Sequence, residues 1–249
     1  MRPNLRIVGL GLLGLLLLPL LPVDFSPRQA TDAPLSIAEV QGSDLRSPLL
    51  GEQVTVEGVI TGDFVTNGQL GGFFMQELEV PHGSASLGLF VRHEDERFGV
   101  GSLVRVRGVV AEEDGLTQLG DAVVEVVGSA PLPEPVEMEL PLDPADEWER
   151  YEGMLGTVSG PGQGELVVNS VAGLGRGGVF SVGPERVMAF TQRHSPNKRR
   201  FREYEEWLGR AVLWVDDGSL LEDPHPVPFS SQGDVLTATP TLRAGDFAK

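Results

Sequence analysis

Hydrophobic and polar residues alternate along two neighbouring stretches in the middle of the chain. In residues 103–110 the arginines Arg105 and Arg107 alternate with valines, and a second alternating stretch covers residues 122–127. A period of two residues is typical of a β-strand that buries one face. Gly115, in the polar connection, accepts the positive φ that a tight reversal needs. The pattern therefore predicts a β-hairpin, around which we expect the preceding strands to close.

Three further strand-like segments precede this hairpin, at residues 53–61, 72–78 and 87–92. The glycine pairs and the Asn-Gly step between them are typical of turns. Five short strands separated by closely spaced turns indicate a small Greek-key barrel. We assign residues 34–130 to this barrel because the proline-rich stretch 131–135 follows, and proline interrupts the hydrogen bonding of a sheet.

The second half of the chain, residues 131–249, is also rich in β-patterned segments. A helix is expected after Asp143, which can act as its N-cap, and another short helix near residues 203–208. The glycine-rich segment 173–178 has the spacing of a dinucleotide-binding loop, but a strand-like segment follows it, so we interpret it as a hairpin turn. The strand-like segments lie at 154–158, 165–171, 179–182, 186–190 and 211–215. These features predict a second β-rich module with one or two short helices.

Composition indicates an exported acidic protein. The chain has 36 acidic and 19 basic residues, a formal net charge of −17, and no cysteine. This charge favours solubility and repels phosphate backbones, and without cysteine neither a disulfide nor a thiolate metal site can form. Residues 7–21 are mostly apolar and follow Arg2 and Arg6, which is typical of a signal peptide. We predict a signal peptide and linker over residues 1–33 and a secreted or periplasmic protein without stable membrane insertion; an uncleaved membrane anchor is the alternative.

Seven sequence phrases connect the chain with a known family. They are LGEQVTVEGVITGDF and GGFFMQ in the first strands, followed by GVGSLVRVRG, GLTQL, ERYEGML, LGRGG and VDDGS. Together they resemble the OB-fold region of large secreted bacterial nucleases, which precedes a catalytic domain of the endonuclease/exonuclease/phosphatase type. The resemblance implies a mainly β protein, with a five-stranded OB-like barrel and a second, incomplete OB-like module. It also implies a truncated nuclease whose partner is a downstream catalytic domain or a separate catalytic chain.

Candidate nucleic-acid contacts on the predicted barrel are three arginines and two phenylalanines. Arg92, Arg105 and Arg107 can meet phosphates, while Phe73 or Phe74 can stack on a base, since strand alternation turns only one of the two outward. In OB-folds, oligonucleotides bind to the face formed by strands 2 and 3 and to the loops that join strands 1–2 and 4–5. In the alternative, one phenylalanine lies in the core and the arginines pair with Glu57 or Glu125 across the sheet.

The densest group of positive charges lies in the second half of the chain. Its members are Arg193, Lys198, Arg199, Arg200 and Arg202. Such a cluster is an electrostatic footprint for a polyanion, here single-stranded or duplex DNA or RNA. The alternative is a solvated segment whose charges are balanced by the glutamates that follow. We expect weak nucleic-acid binding that depends more on this basic cluster than on the barrel arginines.

An acidic turn formed by Asp216 and Asp217 is the candidate metal site. The family resemblance implies a divalent cation, Mg²⁺, Mn²⁺ or Ca²⁺, and such cations prefer carboxylate oxygens; the alternative is an ordinary polar turn. The sequence contains no recognisable catalytic constellation. We therefore expect a non-catalytic nucleic-acid-binding or scaffolding region of a secreted nuclease. The alternatives are a metal-dependent extracellular nuclease in its own right and a purely structural protein-interaction module.

Overall fold

The computed structural model describes residues 33–66, 68–78, 85–94, 97–143, 148–223, 225–227, 229 and 241–248. Residues 1–32, which carry the predicted signal peptide, and residues 144–147, where a helix is predicted to begin, lie outside the described residues. Within the described ranges the protein is mainly β, which confirms the predicted fold class. None of the helices in those ranges combines the length and the apolar character needed to cross a bilayer.

Five strands form a closed barrel in the order β1-β2-β3-β5-β4. Helix α1 (Ile37–Gln41) precedes β1 (Gln53–Phe64), β2 (Gly72–Gln76), β3 (Gly88–Arg92), β4 (Ser102–Glu113) and β5 (Leu116–Ser129). Strand β1 pairs antiparallel with β2 and with β4, whereas β3 and β5 run parallel. This arrangement is the five-stranded Greek-key barrel that the sequence predicts.

The apolar faces of the strands fill the barrel interior. In β4, Val104 and Val106 are fully buried, while Arg105 and Arg107 are exposed, as the alternation of this strand predicts. Helix α1 contributes Ile37 to the same core. The sequence pattern of β4 therefore determines which of its side chains stabilise the barrel and which remain available on the surface.

Strand β5 begins at Leu116, well before the predicted start at residue 122. The hairpin turn consists of Asp114 and Gly115, with φ values of 53° and 84°, and the Asp-Gly step is favoured in such two-residue turns. Residues 117–119 are all buried, and Gln118 and Leu119 pair with β3 on one edge and with β4 on the other. Pairing on both edges therefore determines where β5 begins. The alternation of hydrophobic and polar residues gives no sign of this pairing.

The second module contains two sheets and several short helices. Its elements are β6 (Val136–Glu139), a 3₁₀ helix (Trp148–Tyr151), β7 (Gly156–Ser159), β8 (Leu166–Gly173), α2 (Leu174–Gly177), β9 (Val179–Gly183), α3 (Phe190–Arg193), α4 (Lys198–Ala211), β10 (Leu213–Val215) and β11 (Phe247–Ala248). One sheet has the order β10-β9-β8-β11, and the other pairs β6 with β7 in parallel. Among the described residues neither sheet closes into a barrel, and the module has an apolar core of its own.

Several boundaries in the second module differ from the predicted ones. Residues 186–190 are not a strand: they run as irregular chain into α3. The sequence does not predict strand β6, because this segment follows a proline-rich stretch. The strand is stabilised by pairing with β7, which is distant in sequence. The helix predicted near 203–208 begins at Lys198, since Asn197 caps it by accepting a hydrogen bond from Arg200 N at 3.0 Å. Segment 173–178 lies, as predicted, in the hairpin between β8 and β9.

The loop after the 3₁₀ helix packs against the barrel at the start of β3. Leu155 N donates to Gln76 Oε1 at 2.8 Å, and Ser86 Oγ donates to the carbonyl oxygen of Glu152 at 2.5 Å. The backbones approach so closely at Gly88 that only glycine fits there. The barrel and the second module are therefore joined by close backbone contact as well as by the chain.

Replacing Gly88 by alanine tests this contact. The new Cβ would lie 2.2 Å from the carbonyl carbon of Gly153, so we expect Gly88→Ala to lower the free energy of unfolding of the full chain by about 1–3 kcal/mol. In the fragment 34–130, which lacks Gly153, the same change should have a much smaller effect. Urea titration followed by tryptophan fluorescence measures the full chain, because its tryptophans, Trp148, Trp207 and Trp214, all belong to the second module. Far-UV circular dichroism measures the fragment.

Gly175→Ala is the matched control, because a Cβ at Gly175 has no neighbour within 4 Å. We expect this variant to unfold at the same urea concentration as the parent chain or slightly above it, since alanine favours a helix. We expect residues 34–130 to fold alone because all five barrel strands lie within them; an unfolded fragment would contradict this expectation. An equal loss in fragment and full chain would show that the clash arises inside the barrel instead.

Candidate nucleic-acid interface

Arg105, on the exposed face of β4, is engaged by acidic neighbours on both adjacent strands. Its Nε donates to Glu57 Oε1 at 2.6 Å, and its guanidinium lies 3.7 Å from Glu125 Oε2. The strand register places Glu57 and Glu125 directly opposite Arg105, and opposite charges at such positions attract each other. The cross-strand pairing that the sequence left open as an alternative therefore applies to this residue.

The other two barrel arginines also have partners. Arg107 donates to Gln53 Oε1 at 2.7 Å, and Arg92 forms an ion pair with Glu113 at 3.0 Å. The Arg92 pair is exposed, so it contributes little to stability, but it reduces the positive field that a phosphate would meet. The described structure thus brings all three barrel arginines next to acceptors of the same sheet.

The two candidate stacking residues divide between the inside and the outside of the barrel. Phe73 lies in the core with 1 % of its surface exposed. Phe74 points the other way and is half-buried, with its ring centroid 6.0 Å from Phe64 and 4.9 Å from Phe90. The prediction that only one of the pair faces outward is confirmed, and that ring already packs against aromatic neighbours.

A segment of the second module, residues 218–221, lies on the loop between β1 and β2. Leu220 N donates to Gly68 O at 2.6 Å, and Ser219 bridges to Gln69. A Cβ at Gly218 would lie 2.6 Å from the Phe64 ring. In OB-folds this loop belongs to the oligonucleotide-binding surface. In this protein residues 218–221 occupy part of that surface. The sequence does not indicate this contact, because it predicts only a turn in this segment.

A polar pocket of about 220 Å³ opens beside the end of β3 and is lined by Arg92, His93, Glu94, Asp121 and Ala122. His93 Nε2 is buried without a hydrogen-bond partner among the described residues. Asp121 has φ 48°, a left-handed conformation that is uncommon outside glycine. Only Arg92 of this set is a sequence candidate, because the pocket brings the end of β3 and the loop after it next to residues of β5 that are distant in sequence.

The basic cluster lies on the surface around the start of α4, and all five members are exposed. Arg193 forms an ion pair with Glu185 at 3.0 Å, and Arg199 lies 3.6 Å from Glu203, four residues further along α4. In the described ranges Lys198, Arg200 and Arg202 form no ion pair. The internal pairing proposed as the alternative therefore accounts for part of the cluster only.

An aromatic cluster that sequence reasoning missed adjoins these cations. The buried ring of Phe190 lies at its centre, 5.4 Å from Phe201 and 5.7 Å from Tyr204. His194 packs on the same ring at 5.1 Å, and Trp207 stacks on Tyr204 at 5.9 Å. The spacing of the aromatic residues on α4, at positions i, i+3 and i+6, was available as a signal. The sequence did not signal that α3 contributes Phe190 to this cluster, because residues 186–190 have the pattern of a strand.

The acidic turn is held by hydrogen bonds from its own backbone. Asp216 Oδ1 accepts from Gly218 N at 2.7 Å, and Asp217 Oδ1 accepts from Ser219 N at 2.9 Å. Carboxylates two residues before an amide commonly form such turns. Within the described part of the chain, no three histidine, cysteine, aspartate or glutamate side chains gather closely enough to hold a metal ion.

Glu152 is a half-buried carboxylate at the contact between the modules. Its Oε1 accepts hydrogen bonds from Thr117 N at 2.9 Å and from Gln41 Nε2 at 3.2 Å. Burial raises the pKa of Glu152 above its ordinary value; these hydrogen bonds oppose the shift, and the negative charges of Glu149 and Glu112 add to it. The group thus holds the loop against α1 and β5, and it does so at an electrostatic cost when ionised.

The described geometry separates the two sets of sequence candidates. The barrel arginines and Phe74 contact other parts of this chain, whereas α4 presents cations without ion-pair partners beside aromatic rings. No protein-family model and no curated protein matches the sequence.

The raised pKa of Glu152 predicts the pH dependence of stability. A carboxyl whose pKa is higher in the folded state stabilises the fold at low pH, and that contribution is lost as the pH rises through the raised pKa. Glu152→Gln keeps an oxygen that can accept from Thr117 N but removes the charge. We therefore expect its stability relative to the parent chain to increase from pH 4 to pH 7, as measured by urea unfolding at several pH values.

Glu134→Gln controls for the loss of one negative charge, because Glu134 is exposed. It should change stability by a similar small amount at every pH in that range. A Glu152→Gln curve parallel to that of the control would show that burial of Glu152 does not matter energetically.

Proposed function

We propose that this chain is a non-catalytic scaffolding region of a secreted nuclease, in which an OB-like barrel holds a second β-rich module. The observation that carries the proposal is the occupied ligand surface of the barrel: residues 218–221 cover the β1–β2 loop, and Phe74 packs on Phe64 and Phe90. A barrel surface that contacts its own chain acts as a docking surface for that chain. The resemblance of the sequence phrases to secreted nucleases supports the association with that class.

Electrostatics also supports scaffolding over nucleic-acid binding by the barrel. Phosphate binding draws on cations that can release counterions from the nucleic acid. Arg105 lies between two glutamates, and Arg92 pairs with a third. With a net charge of −17 on the whole chain, the surrounding field opposes the approach of a polyanion. The barrel surface is better suited to contacts within the protein.

The second contact between the modules supports the same role. Gln76, at the end of β2, binds Leu155 N, and the 3₁₀-helix loop supplies Glu152 to Thr117 N. The barrel thus contacts the second module at two places, the β1–β2 loop of the barrel and the start of β3. Two separate contacts restrict rotation between modules, which suits a scaffold that presents a catalytic domain, in the same chain or a separate one, in a fixed orientation.

The alternative of a metal-dependent nuclease is tested by a cleavage assay. We expect purified 34–249 to leave single-stranded and duplex DNA and RNA intact in Mg²⁺, Mn²⁺ or Ca²⁺, because Asp216 and Asp217 serve to hold their turn. Asp216→Asn/Asp217→Asn is the informative variant, since its amide oxygens can still accept from Gly218 N and Ser219 N. Cleavage by the parent chain that disappears in this folded variant would overturn the scaffold proposal in favour of an enzyme.

A further inference from the structure

We propose that the surface formed by the residues flanking α3 and by the first half of α4 binds single-stranded nucleic acid. This α3–α4 patch consists of Met188, His194, Lys198, Arg200, Phe201 and Arg202. It lies on the second module and makes the chain a ligand-binding protein, which goes beyond the scaffolding role of the barrel.

The cations of the patch do not serve the stability of their helix. Lys198, Arg199 and Arg200 occupy the first turn of α4, which contains no acidic residue. Positive charge at that end opposes the helix dipole and destabilises the helix when the charge is not neutralised. Of the three, Arg199 is paired with Glu203. Lys198, Arg200 and Arg202 form no ion pair in the described ranges. Their charges therefore do not stabilise the fold through salt bridges.

Phe201 supplies the platform on which a base can stack. Its side chain is 43 % exposed, although it is large and apolar. The buried Phe190 meets it edge to face, with an interplanar angle of 81°, which fixes the orientation of the ring before any ligand arrives. Aromatic rings beside cations are the recurring elements of sites for single strands, because every base has a face that can stack.

Neighbouring side chains extend this platform. Met188, 39 % exposed, receives a hydrogen bond from Arg193 Nε on its sulfur at 3.1 Å and, on its carbonyl oxygen, one from the Tyr204 hydroxyl. His194 packs on Phe190, with the ring centroids 5.1 Å apart. The patch therefore places apolar surface, one exposed ring and a π-face of histidine next to three cations without ion pairs.

A single strand fits this surface better than a lipid bilayer does. Interfacial helices present a polar face rich in lysine and arginine along their length. In α4 the cations of the first turns end at Arg202, and Glu203, Glu205 and Glu206 follow. The remaining cation, Arg210, lies in the last turn and donates to the carbonyl oxygen of Leu142. A bilayer surface would bring these glutamates against anionic headgroups, whereas a strand a few nucleotides long can contact the first turns alone. Duplex DNA offers no unstacked base to Phe201.

Fluorescence anisotropy with a labelled twelve-nucleotide oligo(dT) tests the proposal on the chain 34–249. We expect a dissociation constant in the range of about 10⁻⁴–10⁻⁶ M, strongly dependent on salt. Lys198→Ala/Arg200→Ala/Arg202→Ala should reduce the slope of log affinity against log salt by about 2, since each contact to a single strand contributes about 0.7. The matched control is Arg92→Ala/Arg105→Ala/Arg107→Ala, which removes the same charge from the barrel and should leave the slope unchanged.

A second pair of variants isolates stacking. Phe201→Leu keeps apolar packing on Phe190 but removes the aromatic face, and we expect at least about a fivefold loss of affinity. Phe201→Tyr should bind like the parent chain. Circular dichroism confirms that each variant is folded.

Four results would overturn the proposal. They are no binding tighter than 1 mM at low salt, an equal loss in both triple variants, an unchanged affinity in Phe201→Leu, and a stronger response to duplex DNA or to vesicles of phosphatidylglycerol than to oligo(dT). None of these results bears on whether the chain cleaves nucleic acid, so failure here is distinguishable from failure of the scaffold proposal.

Discussion

The barrel closes through a short parallel pairing between β3 and β5, at Phe90 opposite Gln118 and Val91 opposite Leu119. This pairing requires β5 to begin at Leu116, directly after the turn from β4. Thr117 is fully buried where the two modules meet, and its amide donates to Glu152 of the second module. The closure that completes the first core therefore also creates the attachment point for the rest of the chain.

Acidic side chains gather where the second module attaches to the barrel. Glu112 Oε1 accepts from Ser47 N and Thr117 Oγ1, while its Oε2 is buried without a partner among the described residues. Glu152 approaches the same threonine from the second module. Amides and a hydroxyl, rather than cations, donate to these carboxylates, so the contact is specific in geometry. The raised pKa of Glu152 makes the contact sensitive to ionisation of that group. The arginines of the barrel are used elsewhere, in cross-strand pairs on the exposed sheet.

The two modules thus differ in how they use positive charge and aromatic surface. On the barrel, arginines and Phe74 are satisfied by neighbours in this chain. On α4, cations and Phe201 remain open to solvent. The two proposals, a barrel that supports a second module and a helix that binds single strands, together reconcile an OB-like barrel with an acidic chain. Binding and scaffolding then depend on different residues and can be tested independently.

The sequence by itself determined the barrel strands and their inward faces, because alternation in β1 and β4 reflects a property of each strand alone. It also located the basic cluster and showed that only one of Phe73 and Phe74 faces outward, since strand alternation turns the two rings in opposite directions; the structure decided that the buried ring is Phe73. Only the tertiary structure decided the start of β5, the existence of β6 and the loss of a strand at 186–190, because these depend on partners distant in sequence. The tertiary structure also decided the candidate sites. Strand register determines which barrel arginines have acidic partners, and packing between the modules determines which surface is covered by residues 218–221.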